Sequence, residues 1–136
     1  MKIIWKEEYS VGVIEIDNQH IEFISLINKI YDVIEDGDNK KEACAILDSL
    51  ADYALYHFET EEELFKKFNY EKASEHMKEH EQFRAKVIKW ASTCPSSEDR
   101  LPILKEAADF IGEWLISHIL GTDKQYMECF SEHGLS

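Results

Sequence analysis

The chain reads as an all-α protein, an up-down-up-down antiparallel four-helix bundle preceded by an N-terminal arm. Two observations predict this. Apolar residues recur in steps of three and four along four long stretches, the period of one helix face. Only five Gly and two Pro interrupt the 136 residues, too few for a turn-rich β fold. Short connections between such helices place sequential neighbours antiparallel.

The arm, residues 1–16, carries Trp5, Tyr9, Val11, Val13 and Ile14 without a sustained helical period. Trp5 and Tyr9 are expected to pack it over a face of the bundle, which spans about 17–131 of a single 1–136 domain. Asp17 is the expected cap of a first helix from about residue 18, its carboxylate accepting unpaired amide protons. The inner stripe of that helix runs His20, Phe23, Ile24, Ile27, Ile30, Tyr31 and Ile34, and Asp36-Gly37-Asp38-Asn39 supplies the stop. A second helix, about 40–67, presents Ala43, Ile46, Leu47, Leu50, Ala54, His57, Glu61, Leu64 and Phe65, and Phe68-Asn69-Tyr70 breaks the chain after it. The third, about 71–92, carries Ala73, His76, His80, Phe83, Val87 and Trp90. Thr93-Cys94-Pro95-Ser96-Ser97 ends it, because the residue before proline avoids helical geometry. The fourth, about 98–131, presents Leu101, Leu104, Ala108, Ile111, Leu115, His118, Met127 and Phe130.

Composition narrows the function classes. A hydrophobic content of 44% beside 32% charged residues suits a folded, water-exposed domain rather than a disordered one. The net charge of −13, with no basic stripe, repels nucleic acid and anionic membrane. No apolar run approaches the roughly 18–20 residues of a membrane span. Met1–Tyr9 lacks an apolar leader core, so cytoplasmic residence is the expectation. Cys44, Cys94 and Cys129 lie far apart with no CxxC, and are expected as separate thiols, neither a disulfide framework nor a thiolate metal site. With no surplus apolar face evident, a monomer is expected.

Five of the six histidines fall on the apolar stripes. His57 and Glu61 are four apart and share a helix face, as do His76 and His80, while His20 and His118 add one imidazole each from the outer helices. Asp123 follows His118 by five residues, so its carboxylate must reach inward from a flank. A single histidine on such a stripe is ordinary core, and Glu59, Glu62 and Glu63 read as a solvated charge run. Seven polar groups in one interior are another matter. At about 1–3 kcal/mol for each unpaired group the cost is on the order of 10 kcal/mol, comparable with the roughly 5–15 kcal/mol that holds a domain folded. A bound metal removes that cost. Seven ligands exceed the tetrahedron of structural zinc and suit two ions. With both carboxylates bridging and a bridging oxygen from water, two octahedral ions keep one position open. Imidazole accepts zinc, copper, iron or nickel, so ligand type leaves the metal undecided.

The pattern His20, His57-x3-Glu61, His76-x3-His80 and His118-x4-Asp123 resembles the seven-ligand signature of the hemerythrin family. The resemblance extends to Trp5, to Val11-Gly12-Val13 and Ile16-Asp17-Asn18-Gln19-His20, and to Trp114-Leu115-Ile116-Ser117-His118, so it covers essentially the whole chain. It implies two iron ions, oxo- or hydroxo-bridged. His76, His80 and His118 would ligate the filled iron and His20 and His57 the open one, with Glu61 and Asp123 bridging. It also implies dioxygen as the partner, reversible binding as the function, and an oxygen pocket lined by Phe23, Phe58, Trp114, Leu115 and Ile119. Phe23 stands where relatives often carry an aliphatic side chain, and a narrower pocket would alter oxygen affinity or entry rate. The alternatives are an oxygen or redox sensor acting through a separate partner, and a di-iron oxidase or peroxidase. Oxygen-activating bundles carry more carboxylates, often as Glu-x-x-His pairs. This chain has none, so no enzyme activity is expected. His133, outside every stripe, is expected as a solvated tail residue.

Overall fold

The computed structural model describes residues 2–36, 40–96 and 99–136, without the side chains of residues 40 and 41. Helix α1 spans Ile14–Asp36, α2 Lys40–Phe68, α3 Ala73–Thr93, α4 Leu101–Gly121 and α5 Met127–Glu132. Single 3-10 turns occupy Glu7–Tyr9, Cys94–Ser96 and Asp123–Tyr126, and no strand occurs among the described residues. Helix α1 packs on α2 and α4, and α3 packs on the same two from the other side. This closes a four-helix bundle, with α5 a short tail.

The stripes become the core. Phe23, Ile24, Ile27 and Ile30 of α1 meet Ala43, Leu47, Leu50 and Phe65 of α2, Phe83 and Val87 of α3, and Leu104, Ala108, Ile111 and Leu115 of α4 in one cluster of buried residues. Ile34, Ile46, Leu64, Ala73, Trp90, Leu101 and Met127 sit half-buried at its edge. Among the described residues no helix is long and apolar enough to cross a membrane.

Helix α1 begins at Ile14, not near residue 18, and Asp17 does not cap it. Gly12, at φ 77°, turns the arm sharply enough for the helix to start two residues later. Asp17 then lies in the first turn and reaches back, accepting from the Ser10 hydroxyl at 2.5 Å and the Val11 amide at 2.9 Å. The arm is also clamped at its other end. The Ile3 amide donates to Asn28 Oδ1 and Asn28 Nδ2 donates to the Ile3 carbonyl, both at 2.8 Å. Tyr9 is buried, with the half-buried Trp5 edge-on to it at 5.8 Å.

Helix α2 ends at Phe68 as expected, and Asn69 takes the left-handed conformation at φ 51° that a sharp exit requires. Helix α3 ends at Thr93 before Pro95. The stop expected at Gly37-Asp38-Asn39 and the residues Ser97 and Glu98 lie outside the described residues. The fourth stretch is not one helix over 98–131. Helix α4 starts at Leu101 with Pro102 in its first turn and stops at Gly121, and the 3-10 turn at 123–126 leads into α5.

The cysteine expectation is overturned. Cys44 and Cys94 form a disulfide across 50 residues of sequence, with Cα atoms 5.8 Å apart. Packing α2 antiparallel to α3 brings the start of one beside the end of the other, which spacing along the chain does not reveal. Cys129 remains a free, half-buried thiol. His133 is exposed, with its ring stacked on Phe68 at 4.6 Å and donating to the Cys129 carbonyl.

Candidate metal centre

His20, His57, Glu61, His76, His80, His118 and Asp123 are all at most 2% exposed and converge in the bundle interior. α1 supplies His20, α2 His57 and Glu61, α3 His76 and His80, and α4 His118. Asp123 comes from the 3-10 turn. Had α4 continued, a fifth-residue offset would have aimed its carboxylate about 140° away from His118. The break after Gly121 removes that conflict. Asp123 Oδ1 lies 3.0 Å from His118 Nε2 and 2.9 Å from His76 Nε2, and Oδ2 lies 3.2 Å from His20 Nε2.

Glu61 occupies the matching position on the opposite side. Its Oε1 is 3.3 Å from His57 Nε2, 3.2 Å from His80 Nε2 and 3.8 Å from His76 Nε2. Two overlapping groups of donor atoms result, each with all its atoms within 4.8 Å of one another. One is Glu61, His76, His80, His118 and Asp123, and the other is His20, His57, Glu61 and Asp123. The two carboxylates are common to both.

Every imidazole turns Nε2 inward. His20 and His57 bring these atoms to 3.1 Å, and His76 and His118 to 3.0 Å. Two nitrogens each about 2.1 Å from one ion and at right angles to each other stand about 3.0 Å apart, so the spacing fits shared ligation. Six buried polar atoms lack a hydrogen-bond partner among the described residues: His20 Nδ1, Glu61 Oε1, His76 Nδ1, His80 Nε2 and both oxygens of Asp123. Four of the six face the centre of the cluster. Unpaired groups at such a density are costly in a dry core, and bound cations would satisfy the four that face inward.

Outward-facing nitrogens identify residues that sequence spacing did not. His57 Nδ1 donates to Gln19 Oε1 at 2.7 Å, and Gln19 is held in turn by Thr60 at 3.3 Å. His80 Nδ1 donates to Glu62 at 2.8 Å, so Glu62 is not part of a solvated charge run. It stands one position beyond Glu61 on the flank of α2 that faces α3. His118 Nδ1 donates to Glu79 at 2.9 Å, and the Thr122 hydroxyl donates to the same carboxylate. Tyr126, fully buried, donates its hydroxyl to Glu61 Oε2 at 2.6 Å. Each pair spans two elements, and no local motif announces it. Such outer partners fix which nitrogen carries the proton and how the ring is turned.

Burial and neighbouring charge set the protonation of the metal-free cluster. Burial holds His57 down to about 4, despite Glu61. Burial also opposes charge on His118 and His80 but is outweighed: Asp123, Glu61 and Glu79 lift His118 to about 9, and the adjacent carboxylates of Glu61 and Glu62 raise His80. For Asp123, burial is overcome chiefly by His118, and its carboxyl falls well below the usual range. Tyr126 is pushed well up by burial and by Glu61, which keeps its proton on the hydroxyl.

Aromatic rings enclose the cluster. Phe58 stacks on His80 at 3.9 Å and Trp114 on His118 at 4.3 Å. Phe23 stands edge-on to His57 at 6.2 Å, and Phe83 joins Phe23, Phe58 and Trp114 from behind. Leu115 and Ile119, the other two expected pocket residues, are buried on α4.

Known proteins resemble this chain in sequence and fold. The chain is 30% identical to a bacteriohemerythrin of Clostridium acetobutylicum over 128 residues, covering 92% of this chain and 98% of the relative. It is 28% identical to a bacteriohemerythrin of Pseudomonas aeruginosa, covering 98% and 84%. A hemerythrin-like protein of Naegleria gruberi is 30% identical, with 90% and 88% covered. The crystal structure of a wild-type hemerythrin superposes with a TM-score of 0.85 at 27% identity, covering 96% of this chain and 99% of that one. Residues 11–130 match the hemerythrin HHE cation binding domain. A buried cluster of five imidazoles and two shared carboxylates, carried on this bundle and matched along nearly its whole length, therefore assigns the chain to the hemerythrin family.

Proposed function

We propose that the protein binds dioxygen reversibly, for carriage or storage, at a di-iron centre held by His20, His57, Glu61, His76, His80, His118 and Asp123. The observation that carries this reading is the pair of overlapping donor groups with Glu61 and Asp123 in common. The first group offers three imidazoles and the second two, so an ion held by the second would have fewer protein ligands and would leave room for a small molecule. The irons, when bound, supply the electrons and the open coordination position for dioxygen.

The chain's own contribution is orientation, proton placement and exclusion of water. Gln19, Glu62 and Glu79 accept from the Nδ1 atoms of His57, His80 and His118, which leaves each Nε2 lone pair aimed inward. Tyr126 engages the outer oxygen of Glu61, so Oε1 alone is directed at the imidazoles. Phe23, Phe58, Trp114, Leu115 and Ile119 form the proposed apolar surroundings for oxygen. Nitrogen-rich ligation with only two carboxylates stabilises oxidised iron less than a carboxylate-rich site, which favours a binding protein over an enzyme.

In this reading residues 1–136 act as one monomeric domain, without nucleic acid or membrane as partner, and the cytoplasmic residence expected from the sequence stands against the Cys44–Cys94 bond. The Cys44–Cys94 pair probes the compartment: a reducing cytosol keeps thiols free, whereas an oxidising space delivers the bond formed. The central test is anaerobic loading with ferrous iron. Two irons per chain are expected, with a colour that appears in air and bleaches when oxygen is removed, over several cycles. One zinc per chain would end the di-iron reading, and colour that does not bleach would favour oxidase or sensor chemistry.

A further inference from the structure

Behind His76, on the side away from the cluster, lies a cavity of about 50 Å³ bounded by Tyr70, Lys72, Glu75, Glu79, Thr122 and Gln125. His76 is 2% exposed and lines this cavity, and among the described residues its Nδ1 has no hydrogen-bond partner. His57, His80 and His118 each place Nδ1 against a side chain. Among the described residues no side chain meets the Nδ1 of His20 or of His76, and beside His76 lies this small polar space.

We propose that this cavity is a binding site for an ordered water, which accepts a hydrogen bond from His76 Nδ1 and donates one to the Glu79 carboxylate. The volume decides the class of ligand. A water occupies about 30 Å³ of liquid and needs a cavity of only about 10–15 Å³ with two to four polar partners. Glu79 and Glu75 line the wall, which disfavours an anion of the same size. Lys72 is engaged at the rim, donating to Gln125 at 3.3 Å. Glu79 is well placed for the role. It lies three residues after His76 on α3, hence on the neighbouring ridge of the same face, and its carboxylate is already fixed by Thr122. One carboxylate thereby positions two imidazoles, His118 directly and His76 through the water. Glu79 is a positioning residue.

The requirement that His76 carry its proton on Nδ1 rests on the proposed ligation through Nε2. A crystal structure of the iron-loaded protein, at a resolution that shows ordered waters, is the test. The expected result is a water within hydrogen-bond distance of both His76 Nδ1 and Glu79. An empty cavity, or His76 Nδ1 bonded to a protein atom, overturns the proposal. Water present without iron at the cluster keeps this proposal and sinks the metal reading, and iron without the water does the reverse. Two variants add a check on role. Glu79→Leu should lose the water, shift the His76 Nδ1 nitrogen resonance in the metal-free chain and lower iron affinity about 10–100-fold. Glu79→Gln, which still offers an oxygen, should retain the water and the resonance. A Glu79→Leu variant with the water and the resonance unchanged refutes the positioning role.

Discussion

Replacing both Cys44 and Cys94 by alanine removes the covalent link between the start of α2 and the end of α3. The bond closes a 50-residue loop in the unfolded chain. Chain-entropy reasoning assigns such a loop about 14 cal/mol/K, or about 4 kcal/mol at 25 °C. With unfolding entropy near 2.1 cal/mol/K per residue, a loss of that size lowers the melting temperature of 136 residues by about 14 °C. The lost sulfur packing adds to it, since Cys44 and Cys94 are 4% and 0% exposed. His57 lies 13 residues beyond Cys44 and Cys94 lies 14 beyond His80, so at about 1.5 Å per residue the bond is some 20 Å from the cluster. Iron content should therefore be unchanged. The assay is thermal unfolding followed by far-ultraviolet circular dichroism on metal-free parent and variant, with thiols counted in denaturant. The parent should show one thiol, Cys129. A variant melting within about 2 °C of a parent so shown to be oxidised would refute the loop-entropy argument, and three thiols in the parent would refute the bond.

Three further outcomes are expected. His57→Ala should abolish oxygen binding while helical content is retained, because the fold rests on the apolar stripes and the proposed open iron rests on His57. Reversible binding in that variant would refute the assignment. Phe23→Leu, which removes the ring edge-on to His57, should change oxygen on- or off-rates, and identical rates would remove Phe23 from the pocket. The stability of the metal-free chain should peak near pH 6.5. His118 at about 9 and the raised His80 lie above their unfolded value of about 6.5, so their contribution is complete below that pH and fades as pH rises through about 9. His57, lowered to about 4, acts in the opposite sense, and its contribution is lost as pH falls from about 6.5 towards 4. A melting temperature that climbs steadily from pH 6.5 to 9 would contradict the first half of this.

Helix periodicity made the four stripes legible, and with them the residues that share the interior. His57 with Glu61 and His76 with His80 could be paired from spacing alone, because four residues advance a helix by little more than one turn. The same logic misjudged Glu62. One position past Glu61 it lies off the inward stripe, yet that flank faces α3 and meets His80. It also left Asp123 awkward, since a continuous helix cannot aim it with His118 and only the break at Gly121 does so.

The order and type of the residues by themselves determined that four amphipathic helices would bury seven polar groups in one core, since face and period are properties of a single strand of chain. What only the tertiary structure decided was who meets whom between helices: Gln19 with His57, Glu79 with His118, Tyr126 with Glu61, and Cys44 with Cys94. Those pairings depend on how far each helix is rotated and slid against its neighbour. That register is set by the packing of the whole core and by no single segment of it.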